Sequence, residues 1–123
     1  MATMIFNKST DTLIWPSFGT WSAVSGPWHK GALENGMYTV ERRHITPLSS
    51  KMDNGFIDKK TGKGYFVPIT AHVNKGREGL GIHPDGNVPG TEGCIGIKND
   101  ALGFYQAIAS TAPSAIITLL VTQ

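Results

Sequence analysis

The sequence of 123 residues contains a single cysteine, Cys94, and this excludes an internal disulfide framework. The predicted fold therefore does not depend on an oxidising compartment. Runs of about 18 apolar residues, the length that a membrane span needs, are also missing, so we expect no membrane span. Between Met1 and Thr10 there is no basic segment followed by an apolar run, so we expect no secretory signal there.

Charge is equally scarce. Only 16% of the residues are charged and the formal net charge is +2, which is too small and too scattered for a nucleic-acid-binding surface. Hydrophobic residues make up 40% of the chain, which argues against disorder. A chain of this length forms one compact domain, which we assign to residues 1–123.

Glycine and proline, by contrast, are frequent, and they divide the chain into short segments that favour a mainly β fold. Residues Thr46–Gly64 are expected to form a polar, turn-rich excursion. Strands are predicted over Met4–Lys8, Thr12–Trp15, Thr20–Ser25, Met37–Arg42, Tyr65–Val73 (interrupted by Pro68) and Ala115–Thr122. Gly79–His83 is a short run that leads into a loop rich in glycine and proline.

One helix is predicted after Cys94. Either Asn99 or Asp100 is a good N-cap, and apolar side chains then recur at helical spacing from Leu102 to Ile108.

The pattern that indicates chemistry is a histidine followed by the only cysteine, His83 and Cys94, eleven positions apart across a loop of turn-forming residues. A thiol becomes a strong nucleophile when a neighbouring imidazole accepts its proton. Gly93 permits a sharp turn before Cys94, where backbone N–H groups would stabilise an oxyanion. The alternative interpretation is that Cys94 is a small buried hydrophobic residue.

The order of these residues along the chain excludes one class of enzyme. All four histidines (His29, His44, His72 and His83) precede Cys94. Papain-like peptidases need the cysteine first and the histidine later. They are therefore excluded.

The segment Thr91-Glu92-Gly93-Cys94-Ile95, with Gly81-Ile82-His83 upstream, resembles the signature of the L,D-transpeptidase (YkuD-like) family. Trp21–Gly26, Leu33–Val40 and Gly76–His83 are similar to flanking segments of that family. The resemblance covers most of residues 20–123 and looks closest to small type VI secretion effectors and phage-encoded members. At two positions the sequence departs from the family: Glu92 replaces a histidine, and Gly96 replaces a common arginine.

The resemblance implies an L,D-transpeptidase-like β-sandwich with one helix near the C-terminus. It also implies a cysteine enzyme that acts on peptidoglycan stem peptides without a cofactor or metal. Cys94 would attack the amide carbonyl after the third stem residue, and His83 would transfer the proton. Gly93, Thr91 and Glu92 would form the oxyanion loop, and the candidate substrate contacts are Arg77, Asp85 and His72.

The implied reaction has three outcomes, because the acyl-enzyme passes to water, to a D-amino acid or to a second stem amine. These correspond to L,D-carboxypeptidase, exchange and transpeptidase activity. An effector or phage lysis enzyme of this kind would be made in the cytoplasm and would act in the periplasm or cell wall after delivery. Its partners would include an immunity protein or secretion machinery.

Two alternatives stay open at the level of sequence. The departures at Glu92 and Gly96 allow a non-catalytic wall-binding or structural module with the same fold. Asp85, His83 and Cys94 are also residue types that bind metals, but without a second His or Cys nearby we predict no metal site.

Overall fold

A computed structural model describes residues 3–26, 32–52, 54–73, 79–85 and 94–123. Within these residues the fold is mainly β with one α-helix, which confirms the predicted class. The strands are β1 (Met4–Asn7), β2 (Thr12–Trp15), β3 (Gly19–Val24), β4 (Gly36–Val40), β5 (Thr46–Ser49), β6 (Gly64–Ala71), β7 (Gly81–Pro84), β8 (Ile95–Ile97) and β9 (Ile117–Thr122). The helix α1 spans Ala101–Ala109, and 3₁₀ turns lie at Arg42–His44 and Asn54–Phe56.

The strands form one sheet in the order β4-β9-β1-β2-β3-β8-β7-β6-β5, and an additional pairing of β4 with β6 closes eight of them into a barrel. β1 pairs with β9, and β7 with β8, in parallel; the other pairings are antiparallel. β5 lies outside the closed ring, against the start of β6.

Side chains alternate between the two faces of the barrel wall, as the pleat of a β-strand requires. On β6, Tyr65, Val67 and Ile69 belong to the buried core, so Phe66 and Pro68 lie on the outer face. Helix α1 packs against the core through Phe104, whose ring contacts those of Trp15, Trp21 and Tyr65. Among the described residues, no helix is both long enough and apolar enough to cross a membrane.

Asp100 is the N-cap of α1. It has a left-handed backbone (φ 47°), and its carboxylate accepts a hydrogen bond from the N–H of Gly103 at 3.2 Å. A Cβ at position 103 would collide with that carboxylate, so a side chain there would displace the cap. Asn99, the other predicted cap, instead accepts a hydrogen bond from the N–H of Ser22 through its side-chain oxygen.

The strand predictions differ from the structure in three places. β5 forms inside the segment expected to be an irregular excursion, and β8 had no predicted counterpart. β6 also runs through Pro68 without a break. Proline cannot donate a hydrogen bond, but its carbonyl remains usable and accepts one from the N–H of Glu41 at 2.8 Å.

Candidate active site

His83 is the third residue of β7, which lies between β6 and β8. Its side chain is 3% exposed, although it lies on the outer face of the barrel wall opposite the core residue Ile82. Two aromatic rings from neighbouring elements cover it. The ring centroid of Phe56 lies 4.4 Å from that of His83, and the ring of Phe66 lies 6.1 Å away and nearly parallel to the imidazole.

The tautomer of His83 follows from one hydrogen bond. Nδ1 lies 2.7 Å from the carbonyl oxygen of Pro84, and because a carbonyl only accepts, Nδ1 carries the proton. In the neutral ring this leaves the lone pair on Nε2. Burial lowers the pKa of His83 to about 4, and the bond to Pro84 opposes that shift only in part. At neutral pH the imidazole is therefore uncharged, with Nε2 available to accept a proton.

Cys94 immediately precedes β8, and its side chain is half-buried. Its thiol lies 3.6 Å from the carbonyl oxygen of Gly79, to which it donates a hydrogen bond. In the parallel pairing of β7 with β8, Ile82 is opposite Ile95 and His83 is opposite Gly96. Continuing that register by one residue puts Cys94 beside Gly81.

Alternation along each strand then decides which side chains share a face. Cys94 lies two residues before Gly96, and Gly96 is in register with His83, so Cys94 and His83 lie on the same outer face of neighbouring strands. They are diagonal neighbours, a relationship in which long side chains come within reach of each other. The hydrogen bonds described for these two side chains are made with backbone oxygens, that of Cys94 with Gly79 and that of His83 with Pro84.

Asp85 follows β7 on the same face, and its N–H donates to the carbonyl oxygen of Ile97 at 2.8 Å. Its side chain stands in front of Gly96. The glycine at position 81 has a similar role, because a Cβ there would overlap with the ring of Phe66. The face that carries His83 and Cys94 is thus lined by two glycines whose missing side chains leave room for their neighbours.

His72 was a candidate substrate contact, and the structure places it one residue after β6, exposed and bonded to β4. Its Nε2 lies 2.9 Å from the hydroxyl of Thr39, and its N–H donates to the carbonyl oxygen of Met37. It borders a cavity of about 390 Å³ at the end of the barrel where β4 begins and β6 ends. No contact among the described residues brings it to His83 or Cys94.

The remaining predicted site residues, Arg77, Thr91, Glu92 and Gly93, lie outside the described residues. Within the described part of the chain, no three His, Cys, Asp or Glu side chains are grouped so as to hold a metal ion.

Phe56 and Phe66 were not predicted as site residues. The available signal was weak: two phenylalanines near a polar, turn-rich stretch, where aromatic side chains need a surface to cover.

Comparison with known proteins gives no family assignment. No family model matches the sequence, and no curated protein matches it. The function proposed below therefore rests on the residues of the chain, on their geometry and on the resemblance described for the sequence.

Proposed function

We propose that the protein is a cysteine-dependent peptidoglycan stem-peptide hydrolase or transpeptidase, with Cys94 as the nucleophile and His83 as the general base. The observation that carries this proposal is the register of β7 and β8, which sets the two residues on one face of adjacent strands. The tautomer of His83 supports it as well, since the proton on Nδ1 leaves the lone pair of Nε2 for catalysis.

In the proposed reaction, Nε2 of His83 accepts the thiol proton while Sγ of Cys94 attacks the carbonyl carbon of the amide after the third stem residue. A carbon–sulfur bond forms, and the carbonyl electrons move to the oxygen. When the tetrahedral intermediate collapses, the carbon–nitrogen bond breaks, and His83 returns the proton to the leaving amine. Water, a D-amino acid or a second stem amine then attacks the thioester and releases the thiol.

In this proposal the low pKa of His83 determines the protonation state of the imidazole before the reaction. Because burial disfavours the imidazolium, the imidazole is neutral before the reaction and becomes charged only when it accepts the thiol proton.

Finer features of the proposal derive from the resemblance to the L,D-transpeptidase family. They are the sandwich-like arrangement of that fold, an antibacterial effector or phage lysis role, and action in the periplasm or cell wall after delivery. An immunity protein or secretion machinery would be the protein partner. Each remains a prediction.

One observation favours a second candidate, a wall-binding module without catalysis. His83 is 3% exposed beneath two phenylalanine rings, which is also how a purely structural histidine is held. In that case the same surface would bind peptidoglycan without cleaving it.

Incubation with purified muropeptides followed by mass spectrometry separates the two candidates. We expect the wild type to remove or exchange the fourth stem residue, or to cross-link two stems, and Cys94→Ala to leave the muropeptides unchanged. His83→Gln should reduce turnover about 100-fold or more, the usual contribution of a general base. His72→Gln is the matched control and should retain activity, because His72 bonds to Thr39 rather than to the site.

Wild-type protein that leaves muropeptides unchanged between about pH 5 and pH 9 would contradict the enzymatic proposal. If the same protein still cosediments with purified cell walls, the binding module is the better account.

A further inference from the structure

We propose that Phe56 is a positioning residue for His83, and that its ring keeps water from the imidazole and fixes the plane of the ring. The consequence for catalysis rests on the proposed function, in which His83 is the base. The contact itself and its effect on His83 do not depend on that function.

Three rings contact one another over the outer face of β7. The centroids of Phe56 and His83 are 4.4 Å apart, those of Phe66 and His83 are 6.1 Å apart, and those of Phe56 and Phe66 are 5.8 Å apart. Phe66 comes from β6, which is part of the barrel wall, whereas Phe56 comes from the Asn54–Phe56 turn outside the wall. Phe56 is thus the outermost cover of the imidazole among the described residues.

Two glycines, Gly64 and Gly81, allow Phe56 and Phe66 to lie this close to His83. A Cβ on Gly64 would collide with the backbone oxygen of Phe56, so the turn lies directly against the start of β6. Ile57 forms a β-bridge with Gly64 that holds the turn there. The ring of Phe66, in turn, occupies the space that a side chain at Gly81 would fill.

The imidazole is held at one atom by a hydrogen bond and elsewhere by the aromatic contacts. The bond from Nδ1 to Pro84 fixes one nitrogen but leaves the ring free to tilt about that bond. A ring at 4.4 Å removes that freedom and excludes water on its side. Loss of Phe56 would open His83 to water, and hydration stabilises the imidazolium.

The described elements around His83 carry few charged groups that could compete with this effect. β6 contributes none, since its sequence from Gly64 to Ala71 contains no charged residue. Among the described residues, the titratable groups that flank the neighbouring elements are Cys94 before and Lys98 after β8, Asp85 after β7, Lys63 before β6 and Asp58 after the turn. The carboxylate of Asp58 accepts hydrogen bonds from the N–H of Lys60 and the hydroxyl of Thr61, within its own turn. Burial is the largest cause of the low pKa of His83, so removing the cover should dominate any change.

The first test is an NMR titration of the His83 ring in the full-length protein without substrate. Phe56→Ala should raise the pKa of His83 from about 4 by at least about one unit towards its ordinary value of 6.5. Phe56→Leu keeps most of the apolar volume and should keep the pKa low. Phe18→Ala is the control: it removes a more exposed phenylalanine, whose ring stacks on Trp15 at 4.0 Å.

An unchanged His83 pKa in Phe56→Ala would overturn the proposal. If Phe56→Ala does not fold, Phe56→Val leaves a smaller gap at the same position, and an unchanged pKa in that variant would overturn it equally. Because no substrate is present, this outcome is separate from any failure of the muropeptide assay.

The second test uses activity on muropeptides. A base must be deprotonated, so a higher His83 pKa moves the acid limb of the pH–rate profile upwards. A shift of about two units would lower kcat about tenfold at pH 5, with KM unchanged, and Phe56→Leu would restore the wild-type profile. A merely structural role for Phe56 would lower kcat equally at every pH, and that result would contradict the positioning role.

Discussion

Asp85 occupies the space in front of Gly96, so that a Cβ built on the glycine would lie 3.0 Å from the Cβ of Asp85 and 3.1 Å from its Oδ1. The residue that directly follows β7 thus fills the space beside Gly96. Position 96 therefore has little room for a side chain.

Gly96→Ala should destabilise the protein by about 1–3 kcal/mol, the usual cost of forcing an extra methyl group into a packed site. Gly96→Ala should cost less in an Asp85→Ala background, where the obstruction is gone, and urea denaturation of the two single variants and the double variant measures this difference. Gly55→Ala is the control, since a Cβ at Gly55 would have open space around it, and we expect a change within about 0.5 kcal/mol. Equal losses at positions 96 and 55 would argue against the steric explanation.

The stability of the fold should depend on pH through His83. Its pKa is about 4 in the folded protein and 6.5 when unfolded, so between these values the unfolded chain binds a proton that the folded one does not. The contribution to stability is therefore complete above pH 6.5 and is lost as the pH falls to 4, by an amount of about 3 kcal/mol.

Denaturation of the wild type and His83→Gln between pH 4 and pH 7 checks this linkage. The wild type should lose stability on acidification more steeply than the variant, whose residue 83 does not titrate. Parallel curves would show that His83 is not responsible.

The reactivity of the thiol should depend on His83. The chain has one cysteine, so alkylation by iodoacetamide reports on Cys94 alone. We expect His83→Gln to slow alkylation at pH 7 about tenfold or more, because the base that assists removal of the thiol proton is lost. His72→Gln should react at the wild-type rate. Equal alkylation rates for the wild type and His83→Gln would mean that His83 does not affect the reactivity of Cys94.

The N-cap of α1 is a separate test of the fold. Asp100→Ala should cost about 1–2 kcal/mol, since it removes the hydrogen bond to the N–H of Gly103 and leaves a Cβ residue with a left-handed backbone. Asp100→Asn retains the acceptor and should cost less. Gln106→Ala, on the exposed face of α1, is the control and should change thermal stability little. A similar loss in all three variants would rule out capping as the cause.

Local patterns in the sequence were sufficient for most of the elements. Alternation and turn residues predicted β1 to β4, β6 and β9 close to their observed bounds, and the cap signal at Asn99 or Asp100 located α1. β5 was missed because Thr46–Ser49 contains Pro47 and polar residues, and β8 because three residues beside a glycine-rich loop carry no periodicity. The closure of β4 on β6 is a pairing of distant segments, for which a single sequence contains no local signal.

The candidate site, like the fold, was only partly predictable from the sequence. Chain order and residue type predicted His83 and Cys94 as the candidate pair. The register of β7 and β8, two strands whose sequences show no alternation of apolar and polar residues, puts the pair on one face. The cover formed by Phe56 was beyond sequence reasoning, because it depends on how a turn folds back over a strand 20 or more positions further along. The low pKa of His83 follows from that packing and was equally inaccessible.

The closed barrel also limits where a strand of another copy of this chain could pair with it. Eight strands have partners on both sides, so within the described residues only β5 presents an open edge on which another chain could add a strand. That edge is four residues long, contains Pro47 and pairs with β6 in an irregular register. Short, irregular, proline-bearing edges are poor templates for strand addition. Within the described residues, the barrel therefore offers little open edge for strand addition by another chain.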